Sequence, residues 1–157
     1  MAPEVVGIAV HESGGHPYEA DRVMGREAAQ AGESFIVPQM IGKKIGSDAV
    51  TIVDDPTMEG GAGYYKYDDE GVKARRKYMM KNGVITELMH NRETAQKLNA
   101  KPTGNARAED FRVEPIIRMR NTFMERKDQT TEVLVEDIKN GYYFKNFRGG
   151  QENLDGT

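Results

Sequence analysis

The chain has 157 residues, a formal charge of −3 at pH 7, 38% hydrophobic and 30% charged residues. That is enough for one soluble, globular domain with a real core. No apolar run approaches the roughly 18–20 residues that span a membrane, and the acidic balance does not favour nucleic acid. The lack of cysteine rules out disulfides and suits a reducing, cytoplasmic compartment.

Pro3 suits a first helical turn, and Val5, Val6, Ile8 and Val10 give an apolar face, so a helix is predicted over about residues 3–16. Pro17 ends or kinks it. Inside lies His11-Glu12-Ser13-Gly14-Gly15-His16. Two imidazoles that hold a zinc ion, beside a carboxylate that takes a proton from its water, make the chemistry of a zinc hydrolase. The spacing is one residue longer than the usual HExxH. On a regular helix, residues i and i+5 are about 140° apart, so a straight helix cannot present both histidines to one ion. A π-turn at Gly14 and Gly15 would close the gap. Catalytic zinc normally takes three protein ligands and a water. His11 and His16 are two; the third is His90, a carboxylate, or a residue this chain does not contain. Glu19 or Asp21 could hold a ligand histidine's second nitrogen.

Residues 18–35 read as a short helix (18–24) and then an exposed segment. Gly42, Gly46 and the lysines between them read as a loop. A short strand over 49–53 ends at Asp54-Asp55-Pro56. Residues 56–63, with Gly60, Gly61 and Gly63, form a loop that lacks the lysine and hydroxyl of a phosphate loop. Asn82-Gly83 between two strand-like runs predicts a type I′ hairpin over 77–89. A short helix over 92–98 and a long loop over 99–110 follow. Residues 112–123 are mostly extended, with Pro115 as an interruption. Thr130 or Thr131 caps a helix running to about residue 139, with Val133, Leu134 and Ile138 on its inner face and Gly141 as its stop. Tyr142–Phe147 form a last strand, their aromatic side chains packing in the core and at its edge. The sum is a strand-rich α+β unit. The acidic pairs Asp54-Asp55 and Asp68-Asp69-Glu70 serve turns. The basic runs at Lys73, Arg75, Arg76 and Lys77, and at Arg118, Arg120, Arg126 and Lys127, read as solvated surface. Both ends read as cut from a longer protein.

Six segments carry a resemblance: residues 11–21, Asp54-Asp55-Pro56-Thr57, Asp68-Asp69-Glu70-Gly71-Val72, Asn82-Gly83-Val84, Thr103-Gly104-Asn105-Ala106-Arg107 and Arg118-Met119-Arg120-Asn121-Thr122. In order and spacing the chain resembles the TldD/PmbA metalloproteases, once called modulators of DNA gyrase, and specifically the TldD branch, because the PmbA-like branch lacks HExxxH. The resemblance runs over essentially all of the chain and implies part of the metal-bearing carboxy-terminal domain, without the family's amino-terminal domain. It implies a cytoplasmic zinc peptidase of small or unfolded peptides, working as a homodimer or paired with a PmbA-like relative. His11 and His16 match the histidine ligands and Glu12 the catalytic glutamate. The third ligand is a cysteine further along, which this chain does not reach. Arg118, Arg120 and Asn121 match a stretch near the active site and are candidates for binding the peptide's backbone or terminal carboxylate. The alternative is a non-catalytic interaction or scaffold unit that needs missing segments or a partner chain to complete its site. Neither nucleic acid nor membrane is an expected partner.

Overall fold

The computed structural model describes residues 1–26, 34–136 and 138–149. Part of the exposed segment expected after residue 24, and residues 137 and 150–157, lie outside them. The fold is α+β. Among the described residues four α-helices run Pro3–Gly14 (α1), Ala20–Val23 (α2), Arg92–Lys97 (α3) and Thr131–Glu136 (α4). Six strands run Ile52–Asp54 (β1), Lys77–Lys81 (β2), Val84–Ile85 (β3), Ala106–Arg107 (β4), Ile116–Ile117 (β5) and Thr122–Met124 (β6). The strands are only two to five residues long, so among the described residues helical residues exceed strand residues and the expected strand-richness is not met: loops pinned by buried polar side chains take the place of longer strands. The extended run 112–123 resolves into two short strands, separated where the backbone turns to serve polar side chains.

The main sheet is antiparallel in the order β3-β2-β1-β6, and β4 and β5 form a separate ribbon. The β2–β3 hairpin turns at Asn82 and Gly83, whose φ values of 49° and 76° are the two positive angles of the expected turn. Its second strand stops at Ile85, short of the expected Met89, because Leu88, Met89 and His90 turn into the interior. α1 packs against β6 and buries Val10 and Gly14, with Gly14 close to Ile52 of β1. Tyr18, Ile52, Met79, Ile85, Met89 and Ile117 form the centre of the core.

A polar knot runs through that core. Asp54 faces Lys77 across the β1–β2 ladder, and the two side chains, both fully buried, meet at 2.7 Å. Lys77 is therefore not part of a solvated basic run, although Arg75 and Arg76 are half-exposed and pair with Glu87, Asp55 and Glu125. Burial pulls the Lys77 ammonium's pKa down, opposed by the Asp54 charge. The Asp54 carboxylate also accepts from Asn105 Nδ2 (3.0 Å), Arg120 N (2.6 Å) and Thr122 Oγ1 (3.1 Å). One buried acid thus pins residues 118–122 to β1. Asp55 and Asp68 behave as expected of turn acids: Asp55 accepts from the Thr57 amide and hydroxyl, and Asp68 from the Glu70 and Val72 amides.

The last segment departs most from expectation. Thr130 is the capping residue of α4, its hydroxyl accepting from Val133 N at 3.4 Å. The described part of α4 ends at Glu136, and residues 138–140 are not helical. Val133, Leu134 and Ile138 do not face inward; each is about half exposed, because no described element packs over that face. Residues 142–147 form no strand, and Tyr142 is 93% exposed. A backbone bond from Ala2 N to Phe144 O (2.8 Å) ties this segment to the start of α1, but among the described residues no strand pairs with it.

Candidate metal centre

The histidines meet by a route other than a π-turn. α1 stays regular through Gly14, and the Gly15 N–H still donates to His11 O four residues back. The chain then leaves the helix at Gly15 and makes a 3-10 turn over His16–Tyr18. That turn swings His16 back beside His11, with ring centroids 4.8 Å apart and planes at 83°. Gly15 is needed for close approach: a Cβ there would sit 1.8 Å from Met119 Sδ and 2.7 Å from His11 O. The ligand atoms of His11, Glu12 and His16 all lie within 4.8 Å of one another, the one such trio among the described residues.

His16 is buried and held. Its Nδ1 meets Glu19 Oε2 at 3.1 Å. With the proton on Nδ1 donated to that carboxylate, the Nε2 lone pair is left for an ion. Glu19 is itself locked: Oε2 accepts from Arg22 Nε at 2.7 Å and Oε1 from Met119 N at 3.3 Å. Of the two acids, Glu19 is the one that meets the His16 ring. Asp21 instead accepts from Ile117 N and Arg22 N, both at 3.0 Å, and so fastens α2 to β5; burial raises its pKa. His11 is more open, with Nε2 at 3.9 Å from Glu12 Oε1. Burial, followed by the neighbouring His16 ring, lowers the His11 pKa and favours the neutral imidazole that a metal requires.

His90 lies outside the trio. It is 4% exposed, its N–H donates to Thr103 Oγ1 at 2.6 Å, and its Nδ1 is 3.2 Å from Thr94 Oγ1. Burial pushes its pKa down to about 4. Its work is to fix the start of α3, where Asn91 caps the Thr94 amide.

The three residues proposed to bind substrate divide. Arg118 lines a pocket of about 420 Å³ together with His11, Tyr64, Tyr65, Arg107 and Arg120. The Arg120 guanidinium stacks 4.1 Å over the Tyr65 ring and donates to Ala106 O at 3.1 Å. Asn121 bridges the 56–63 loop, accepting from Gly63 N and donating to Asp55 O, each at 2.9 Å. These two shape the wall. On the Glu12 side a second groove is lined by Ile8, Met58, Thr122 and Phe123. Sequence reasoning missed Arg107, Tyr64 and Met58 as neighbours of the histidines. They sit on loops and short strands whose approach depends on long-range packing, and no local pattern encodes it.

The donor set suits a borderline divalent cation such as zinc: two imidazoles, one braced by a buried carboxylate, beside a further carboxylate. The family model of the PmbA/TldA metallopeptidase C-terminal domain matches residues 1–157. The chain belongs to this family. Among PmbA/TldA relatives, it is 42% identical over 151 residues to Metalloprotease MJ0996 of Methanocaldococcus jannaschii, covering 96% of this chain and 32% of that one. It is 39% identical over 158 residues to the zinc metalloprotease TldD homolog of Saccharolobus solfataricus, covering 100% and 34%. The crystal structure of TldE from Thermococcus kodakarensis shares the fold, with a TM-score of 0.71 at 23% identity over 96% of this chain and 33% of that one. The chain spans about a third of the length of these curated relatives. No helix among its described residues is long and apolar enough to cross a membrane.

Proposed function

We propose that this chain carries the metal centre of a cytoplasmic zinc peptidase that cleaves small or unfolded peptides. The observation that carries the reading is the His11, Glu12 and His16 cluster, all within 4.8 Å, with Glu19 bound behind His16. His11 and His16 would hold the ion through their neutral imidazoles. When bound, zinc supplies a Lewis acid and lowers the pKa of its water. Glu12 would act as the base, taking a proton from the attacking water and delivering it to the leaving amine. Glu19 keeps His16 in the Nδ1–H tautomer and fixes its ring. Arg118 engages the peptide directly, while Arg120 and Asn121 set the wall along which it lies. β6 is an edge strand of the main sheet, and its residues Thr122 and Phe123 line the groove beside Glu12, so an extended peptide can add to that edge. The third protein ligand that catalytic zinc normally takes is not a cysteine of this sequence. In the family reading it comes from a later segment, and the working unit is a dimer, either of one chain or with a PmbA-like relative.

The test is hydrolysis of an unstructured peptide by the full-length protein with zinc. Glu12→Gln should keep the metal and lose cleavage by roughly 10²–10⁴-fold, the usual contribution of a general base. Full activity in that variant would remove the mechanism. The rival reading, a scaffold without catalysis, predicts no chelator-sensitive cleavage at all.

A further inference from the structure

The β4–β5 ribbon gathers positive charge beside the histidines. Arg107 faces Ile116 across the ladder, and the pairing continues as Arg118 N donates to Asn105 O at 3.0 Å. Side chains alternate along a strand, so Arg107, Ile116 and Arg118 share one face. Both arginines line the 420 Å³ pocket that His11 also lines. Arg120 is a third cation in that lining, held by Tyr65 and Ala106 O. Among the described residues, three arginines line this pocket. One carboxylate, Glu109, lines only the outer extension, beside Arg107 and Arg118. Like charges on neighbouring positions of one sheet face repel. A guanidinium pair on one face can share a ligand carboxylate, which it meets in a forked, charge-assisted geometry.

We propose that this pocket is a subsite for a carboxylate of the bound peptide, gripped by Arg107 and Arg118 next to the candidate metal centre. The ligand's being a peptide rests on the peptidase reading; the preference for a carboxylate rests on the pocket alone. Two sources fit the chemistry, an acidic side chain and a free carboxyl terminus, and peptides can tell them apart.

The experiment measures fluorescence anisotropy of labelled, unstructured peptides on the metal-free full-length protein, where no probe is consumed. One peptide carries an internal Glu and an amidated end, the second Gln and an amidated end, the third Gln and a free carboxyl end. At least one carboxylate peptide should bind about tenfold more tightly than the uncharged one, a typical gain for one charge-assisted pair. Salt should shrink the gap. A preference for the first peptide assigns the side chain, and for the third the carboxyl terminus. Arg107 is an exposed strand residue, so R107Q should fold, as far-UV dichroism and melting would show, and abolish the preference. R107K keeps the charge and should retain most of it. Equal affinities, no measurable binding, or a preference that survives R107Q would overturn the subsite. The two readings fail separately. Zinc-dependent cleavage without a carboxylate preference removes only the subsite. A carboxylate preference without cleavage removes only the peptidase.

Discussion

Glu19 is the side chain on which the site turns, because it joins three things: the His16 ring, the Arg22 guanidinium and the Met119 amide. Removing a carboxylate that orients a metal-binding histidine typically costs 10–100-fold in metal affinity. Glu19→Gln should weaken zinc binding by about that factor in a titration. Asp21→Asn, which loosens the bond to Ile117 rather than to His16, should leave zinc affinity nearly unchanged. Equal effects from the two would mean that Glu19 has no special hold on the ligand. His90 gives a pH prediction. Its pKa falls from 6.5 unfolded to about 4 folded, through burial. The unfolded chain therefore takes up a proton first as pH drops. His90's contribution is fully present above pH 6.5 and is lost as pH falls towards 4, on the order of 3 kcal/mol in all. Denaturation midpoints should drop through that window, and the drop should be smaller in His90→Gln. Parallel curves for the two proteins would contradict this. The clustering of His11, Glu12 and His16 was legible in the sequence because residue type and spacing are local. The choice of Glu19 over Asp21 was not, since it depends on which acid the 3-10 turn points at the ring.

Elements show the same division. The β2–β3 hairpin was readable because Asn82-Gly83 encodes its own backbone angles. Gly83→Ala would place a Cβ at φ 76° and 2.2 Å from Gly46 O. The strain and backbone clash together should cost at least about 2 kcal/mol. A midpoint shift below 0.5 kcal/mol, the level of an ordinary surface substitution, would show that the loop yields. The end of α1 was misread, because a regular helix followed by a 3-10 turn reaches the same histidine contact as a π-turn and only packing against Met119 selects it. The role of Lys77 was hidden within a basic run: its burial follows from the β1–β2 register, which sets it opposite Asp54. Lys77→Met would leave that acid buried without its charge partner, at a cost of about 3–5 kcal/mol. Chemical denaturation measures it directly, and a neutral result would mean that the other three donors to Asp54 suffice.

At the scale of the molecule, the α+β class and the order of most elements followed from periodicity and turn residues, while the ribbon and the pocket it walls did not. Sheet order brings residues 107 and 118 to residue 11, and no window of sequence contains all three. The carboxyl end was readable as apolar but not as exposed. Val133, Leu134, Ile138 and Tyr142 have the pattern of packed residues and no described surface to pack on. The molecule thus gathers its candidate metal residues at one end of α1, where a helix terminus, a 3-10 turn and a polar-pinned strand segment converge. The most direct measurement is a zinc titration of the full-length protein beside its His11→Ala and His16→Ala variants. With the full-length protein as the sample, so that the later ligand is present, close to one zinc per chain in the wild type, lost in both variants, is the expected result. Zinc bound equally by all three proteins, or by none, would contradict the metal centre.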